Sequence, residues 1–164
     1  MDLFKDWETI RALFKASLKS SFHFAIASVN EQGEPHVTPI GSLILDEPGR
    51  GYYFERFTQQ LPKNLRHRQR VCVLAVNSGF GFWLGSLLRG RFAHPPGLRL
   101  YGTVSEPRAA TDAERARWLG RVRPARFTRG HAMMWSEMDR VREIEFDRVD
   151  PVRIGKMTQG LYDL

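Results

Sequence analysis

Residues 36–76 set the terms on which this chain can fold. The run His-Val-Thr-Pro-Ile-Gly-Ser-Leu-Ile-Leu leads into the turn Asp46-Glu-Pro-Gly-Arg-Gly51. Gly-Tyr-Tyr-Phe, a polar stretch, Pro62-Lys-Asn-Leu65 and Arg-Val-Cys-Val-Leu-Ala-Val follow. Short apolar runs bounded by Gly, Pro and Asp read as a strand over residues 36–45, a strand over 51–57, a short helix and a strand over 71–77. Pro39 has no N–H to give to a ladder, so its strand belongs at an edge, a bulge or an open seam. Pro62 suits a first helical position, and the helix is predicted over residues 62–69, with Leu61 and Leu65 closing one end of a barrel. A helix N-terminus offers free N–H groups and a positive dipole end. With Thr58, Gln59, Gln60 and Lys63 it makes a candidate phosphate pocket.

The flanking sequence extends the same pattern. Leu3, Trp7, Ile10, Phe14 and Leu18 recur at helical spacing among Lys5, Glu8, Arg11, Lys15 and Lys19, which predicts an amphipathic N-terminal helix within residues 1–20. Residues 22–29 alternate as a largely buried strand, and Asn30-Glu-Gln-Gly33 turns the chain, with Gly33 suited to positive φ. Residues 98–106 and 141–149 are further strands, the latter with Ile144 and Phe146 inward and Glu143, Glu145 and Asp147 outward. Thr111-Asp-Ala-Glu114 is a capping box that starts a helix running to about Arg121. A second helical piece is expected over residues 131–138, its Met133, Met134, Trp135 and Met138 filling a core or a dimer contact.

Residues 71–88 carry no charge and reach the length of a membrane span, but Asn77, Ser78, Gly79, Gly81, Gly85 and Ser86 interrupt them. A buried strand followed by a Gly-rich aromatic loop over 78–97 is the expectation, with Trp83 and Arg89 as the residues of interest in that loop. No signal peptide is visible, because Asp2, Lys5, Asp6, Glu8 and Arg11 interrupt the amino end. The single cysteine, Cys72, forms no internal disulfide, which suits a reducing cytoplasm. The formal charge is +7, and 20 of the 25 cations are Arg. Arg66-His-Arg-Gln-Arg70, Arg89-Gly-Arg91 and residues 115–129 could meet phosphates. Solvated helix and loop faces are the better reading of them, which leaves nucleic-acid binding a minor hypothesis. No hydrolytic triad, zinc pattern, Walker loop or Rossmann fingerprint is present. At 164 residues, with six or so strands and peripheral helices, one mainly β domain is expected: an antiparallel barrel of α+β character spanning residues 1–164.

Gly33, Pro35, His36, Val37 and Pro39, then Tyr53 and Phe54, then Lys63, Asn64 and Leu65, then Val71, Val73 and Leu74 stand in an order that resembles the pyridoxamine 5'-phosphate oxidase-like FMN-binding split barrels. The resemblance covers the first half of the chain. It implies a split β-barrel, FMN as cofactor, a homodimer with the cofactor at its interface, and hydride transfer to or from a small-molecule substrate. Carried onto this sequence, Thr38, Pro39 and Ile40 border the ring, and Phe54 and Arg56 flank the ribityl and phosphate end. Thr58, Gln59, Lys63 and Asn64 bind the phosphate, and His36 and Trp83 complete the candidate set. Two departures stand out. The phosphate loop reads Thr58-Gln-Gln-Leu-Pro62, without the family's Arg or Lys beside Ser or Thr. The chain also ends Arg153-Ile-Gly-Lys-Met-Thr-Gln-Gly-Leu-Tyr-Asp-Leu164, without the oxidases' Phe-Trp-Gln-Gly and Arg-Leu-His, which argues against pyridoxine phosphate as substrate. The alternative is a haem- or flavin-binding protein without turnover, with His36, His94 or His131 as the iron ligand; a deazaflavin is a further option.

Overall fold

The computed structural model describes residues 1–128 and 138–161. Eight strands form one antiparallel sheet: β1 (Phe24–Val29), β2 (Pro35–Ile40), β3 (Ile44–Leu45), β4 (Arg50–Phe54), β5 (Arg70–Val76), β6 (Gly97–Val104), β7 (Arg108–Ala109) and β8 (Arg140–Pro151). Four α-helices surround it: α1 (Trp7–Ser21), α2 (Gln60–His67), α3 (Phe80–Arg89) and α4 (Asp112–Val122). The sheet order is β2-β1-β5-β6-β8-β4-β3, with β7 also on β8. Its two end strands, β2 and β3, are consecutive in the chain. The sheet therefore curls toward closure and stays open where the backbone itself steps across, giving a split barrel. The expected single strand over residues 36–45 is in fact these two edges, broken at Gly41, Ser42 and Leu43. Pro39 lies on the edge strand β2, whose partner is β1 alone, as its missing N–H requires.

Alternation fills the interior. Ile26, Val73, Leu100 and Ile144 are fully buried, and α1 lays Trp7, Ile10 and Phe14 on the same core. Two long hydrogen bonds dock that helix: Trp7 Nε1 donates to Asp46 O at 3.0 Å and Ser17 Oγ to Val76 O at 2.6 Å. Strand β8 alternates as expected, with the addition that Arg142 is buried, paired with Glu55 and donating to Ser105 O at 3.0 Å. At Gly102, where the register of β6 on β8 shifts, an added Cβ would lie 2.4 Å from Glu145 O, so only glycine lets the strands approach. Gly33 has φ +89°, as its turn demands.

Two expectations need correction. Residues 80–89 form helix α3 and not a Gly-rich loop: Gly79 and Gly90 stand at its caps, Gly90 in the left-handed region, and Phe82, Trp83 and Phe92 pack together beneath it. The α2 helix begins at Gln60, which puts Pro62 third in the helix, still within the turn whose N–H groups have no intrahelical partner. The helix expected over residues 131–138 lies outside the described residues except for Met138, which is buried with Trp118 and Val141 in a second, smaller cluster beneath α4. Among the described residues no helix is long and apolar enough to cross a membrane.

Candidate functional site

The opening between β2 and β3 is the floor of a cleft of about 1350 Å³, walled by α1 on one side and α4 on the other. Ser42 fixes the step between the two edges, its hydroxyl accepting from Phe54 N and donating to Phe54 O, both at 3.2 Å. The cleft runs along β2, and the strand register identifies its two ends. His36 pairs with Ser28, to which Asn64 Nδ2 of α2 donates at 2.9 Å, so α2 and the segment before it lie at the His36 end. Ile40 pairs with Phe24, directly after α1, so α1 lies at the other end. Four residue rises separate them, about 13 Å.

At the α2 end the backbone between β4 and α2 turns sharply. Phe57 has φ +64°, a left-handed conformation rare for a bulky residue, and the Arg56 guanidinium lies 4.9 Å over its ring. Helix α2 has no side-chain cap, leaving the first-turn N–H groups of Gln60 and Leu61 to an outside acceptor. Thr38 and Thr58 line the cleft, and their Oγ1 atoms are buried without a hydrogen-bond partner among the described residues, a costly arrangement that a ligand would relieve. Among the described residues the charged lining comprises Arg11, Lys15, Lys19, Arg56 and Arg121 against Glu8 alone. Arg121, carried on α4, donates to Leu43 O at 2.6 Å and lies 6.0 Å over the Trp118 ring; the protein packed around it lowers its pKa, with no carboxylate offsetting that effect. Trp118 in turn rests 5.9 Å from Phe54.

Of the residues singled out in the sequence, His36, Thr38, Pro39, Ile40, Phe54, Arg56, Thr58 and Gln59 line this one cleft. Lys63, Asn64 and Trp83 do not. Lys63 is exposed on α2. Asn64 is fully buried and spent on structure: besides its bond to Ser28, its Oδ1 accepts from Gln60 Nε2 at 2.8 Å. Trp83 packs in α3, its Nε1 donating to Asn77 O at 2.7 Å, because residues 80–89 fold as a helix against Phe92 instead of a Gly-rich loop. Of the three histidines considered as iron ligands, His36 is in the cleft, His94 stacks on Phe82 and His131 lies outside the described residues. Sequence reasoning missed the contributions of α1 and α4. Lys15, Lys19, Trp118 and Arg121 sit on helices whose exposed faces look like ordinary solvated surface until the fold sets them around one opening.

A family model described as pyridoxamine 5'-phosphate oxidase matches residues 10–153. Among solved structures the chain is similar to HupZ of Group A Streptococcus, at 15% identity and a TM-score of 0.58 over 90% of this chain and 94% of that one. It is similar to an FMN-binding protein from Syntrophomonas wolfei, at 13% identity and 0.58 over 92% and 94%. A third likeness is to an F420 reductase, at 12% identity and 0.54 over 83% and 94%. At such identities the likeness is one of fold. No curated protein matches.

Proposed function

The chain belongs to the pyridoxamine 5'-phosphate oxidase family, and from that premise we propose that it is an FMN-dependent oxidoreductase acting on a small molecule other than pyridoxine phosphate. The observation that carries this reading is the pair of buried hydroxyls, Thr38 Oγ1 and Thr58 Oγ1, without a partner among the described residues, at a cleft whose described charged lining is five cations and one carboxylate. A cofactor with a phosphate and a polar ring edge satisfies both. Arg56, Thr58, Gln59 and the uncapped N–H groups of α2 would hold the phosphate, the charge-assisted donors replacing the basic residue that the loop lacks. Thr38, Pro39 and Ile40 would border the ring, with the Pro39 edge leaving the strand's outer side free of a neighbouring strand. When bound, FMN supplies a ring that accepts and returns a hydride. The protein's share is to orient that ring along β2, to exclude water with Phe54 and Trp118, and to hold anionic groups in place.

Two companion proposals belong to this reading. Phe22, Val37 and Phe57 are exposed apolar residues at or beside the cleft, which supports a homodimer closing over it. Burial raises the Cys72 thiol pKa and leaves it unreactive, in keeping with a cytoplasmic home. An absorbance spectrum of the freshly purified protein, with an FMN titration if it is colourless, tests the central proposal. Bands in the blue and near ultraviolet, or saturable FMN binding, are expected. A Soret band that vanishes in His36→Ala would replace FMN with haem, and no titratable binding would sink the flavin reading.

A further inference from the structure

The cleft is longer than one cofactor site needs. Its volume of about 1350 Å³ exceeds the roughly 300–1,000 Å³ of a pocket for one drug-sized molecule. The groups that suit a phosphate gather at the α2 end, whereas three further cations, Arg11, Lys15 and Lys19, stand at i, i+4 and i+8 on the face of α1 that lines the other end. Arg11 is engaged by Glu8 at 2.9 Å, the one carboxylate among the described lining residues. Lys15 and Lys19 pair with no carboxylate among the described residues. Apolar side chains, Leu18, Phe22 and Ile40, surround them. Across the opening Arg121 adds a further cation at the same end, since it donates to Leu43 O, three residues beyond Ile40. An apolar floor with cations on both rims, and among the described residues no anion left to balance them, is complementary to a molecule with an apolar body and a negative head.

We propose that the α1 end of the cleft binds an anionic, largely apolar small molecule, and that Lys15 and Lys19 recognise its carboxylate. The proposal deepens the flavin reading, on which it rests for the identification of this molecule as the cofactor's reaction partner. The binding itself stands apart from that reading.

Naphthalene-2-carboxylate and its uncharged counterpart naphthalene-2-carboxamide are the probes, titrated by their own fluorescence into the full chain at low ionic strength, with and without FMN. The carboxylate is expected to bind about tenfold more tightly than the amide. In Lys15→Gln/Lys19→Gln that preference falls to near parity, while Lys5→Gln/Lys156→Gln, which removes the same charge outside the cleft, keeps it. No preference in the parent protein, or equal loss in the two double variants, would overturn the proposal. Displacement of the carboxylate by FMN would also overturn it, by putting the anion in the cofactor's own seat. FMN that fails to bind while the preference persists would remove the flavin reading and leave the anion site standing.

Discussion

Thr38 and Thr58 are uncharged members of the proposed site. Each hydroxyl is buried with no partner among the described residues, so each forfeits solvation that a ligand can restore. Thr38→Val and Thr58→Val are expected to weaken FMN by roughly tenfold apiece, about 1.5 kcal/mol, without lowering the stability of the ligand-free protein. Lys63→Ala, which alters an exposed α2 position outside the cleft, is expected to leave FMN affinity unchanged, and a fluorescence titration reads all three. Asn64 is the converse case. The sequence pattern places it with the phosphate ligands, yet its amide ties α2 to Ser28 on β1 and is closed to a ligand. Asn64→Leu strands the Ser28 hydroxyl and the Gln60 amide, and a urea melt should show a loss of about 1–3 kcal/mol. The residue type was legible, but the side to which it turned was not.

At the scale of elements, α4 is the wall on which the cleft depends, and its start is fixed by local chemistry. Thr111 Oγ1 accepts from Glu114 N at 3.2 Å and the Glu114 carboxylate accepts from Thr111 N at 2.8 Å, the capping box expected from the sequence. Arg108 adds two bonds to the same carboxylate and also pairs with Glu143 on β8. The Arg108 guanidinium is the main reason that the Glu114 carboxyl titrates at about 2. Because this pKa is lower folded than unfolded, the contribution is complete above the usual carboxylate range and is lost as pH falls from about 4.5 toward 2. Thr111→Ala should cost about 1 kcal/mol at neutral pH. Glu114→Gln should lower the melting temperature at pH 7, and its difference from the parent should shrink on acidification; a constant difference from pH 7 to 3 would count against the network. In contrast α3 was unreadable. Its four internal and flanking glycines are loop signals locally, and only packing of Phe82 and Trp83 on Phe92 makes the helix worth forming.

At the scale of the whole molecule, the cleft exists because the barrel fails to close. The chain leaves β2 at one edge and enters β3 at the other, so the candidate site stands at the seam, and the proposed cofactor would tie the two edges together. Saturating FMN, at about a hundred times its dissociation constant, is expected to stabilise the fold by about 2.7 kcal/mol and to raise the melting temperature. An unchanged melting temperature would mean that the cofactor does not bind the folded state. By itself the sequence determined what depends on neighbours along the chain: the alternation that makes strands, the α1 stripe, the capping box, the turn at Gly33 and the restriction of Pro39 to an edge, a bulge or an open seam. Each follows from backbone geometry or side-chain period within a few residues. Only the tertiary structure decided which elements face one another. It split residues 36–45 between two edges, folded 80–89 into a helix, turned Asn64 inward, and brought Lys15, Lys19, Trp118 and Arg121 from α1 and α4 to one opening. Those outcomes rest on contacts between residues dozens of positions apart, whose energies no local pattern encodes.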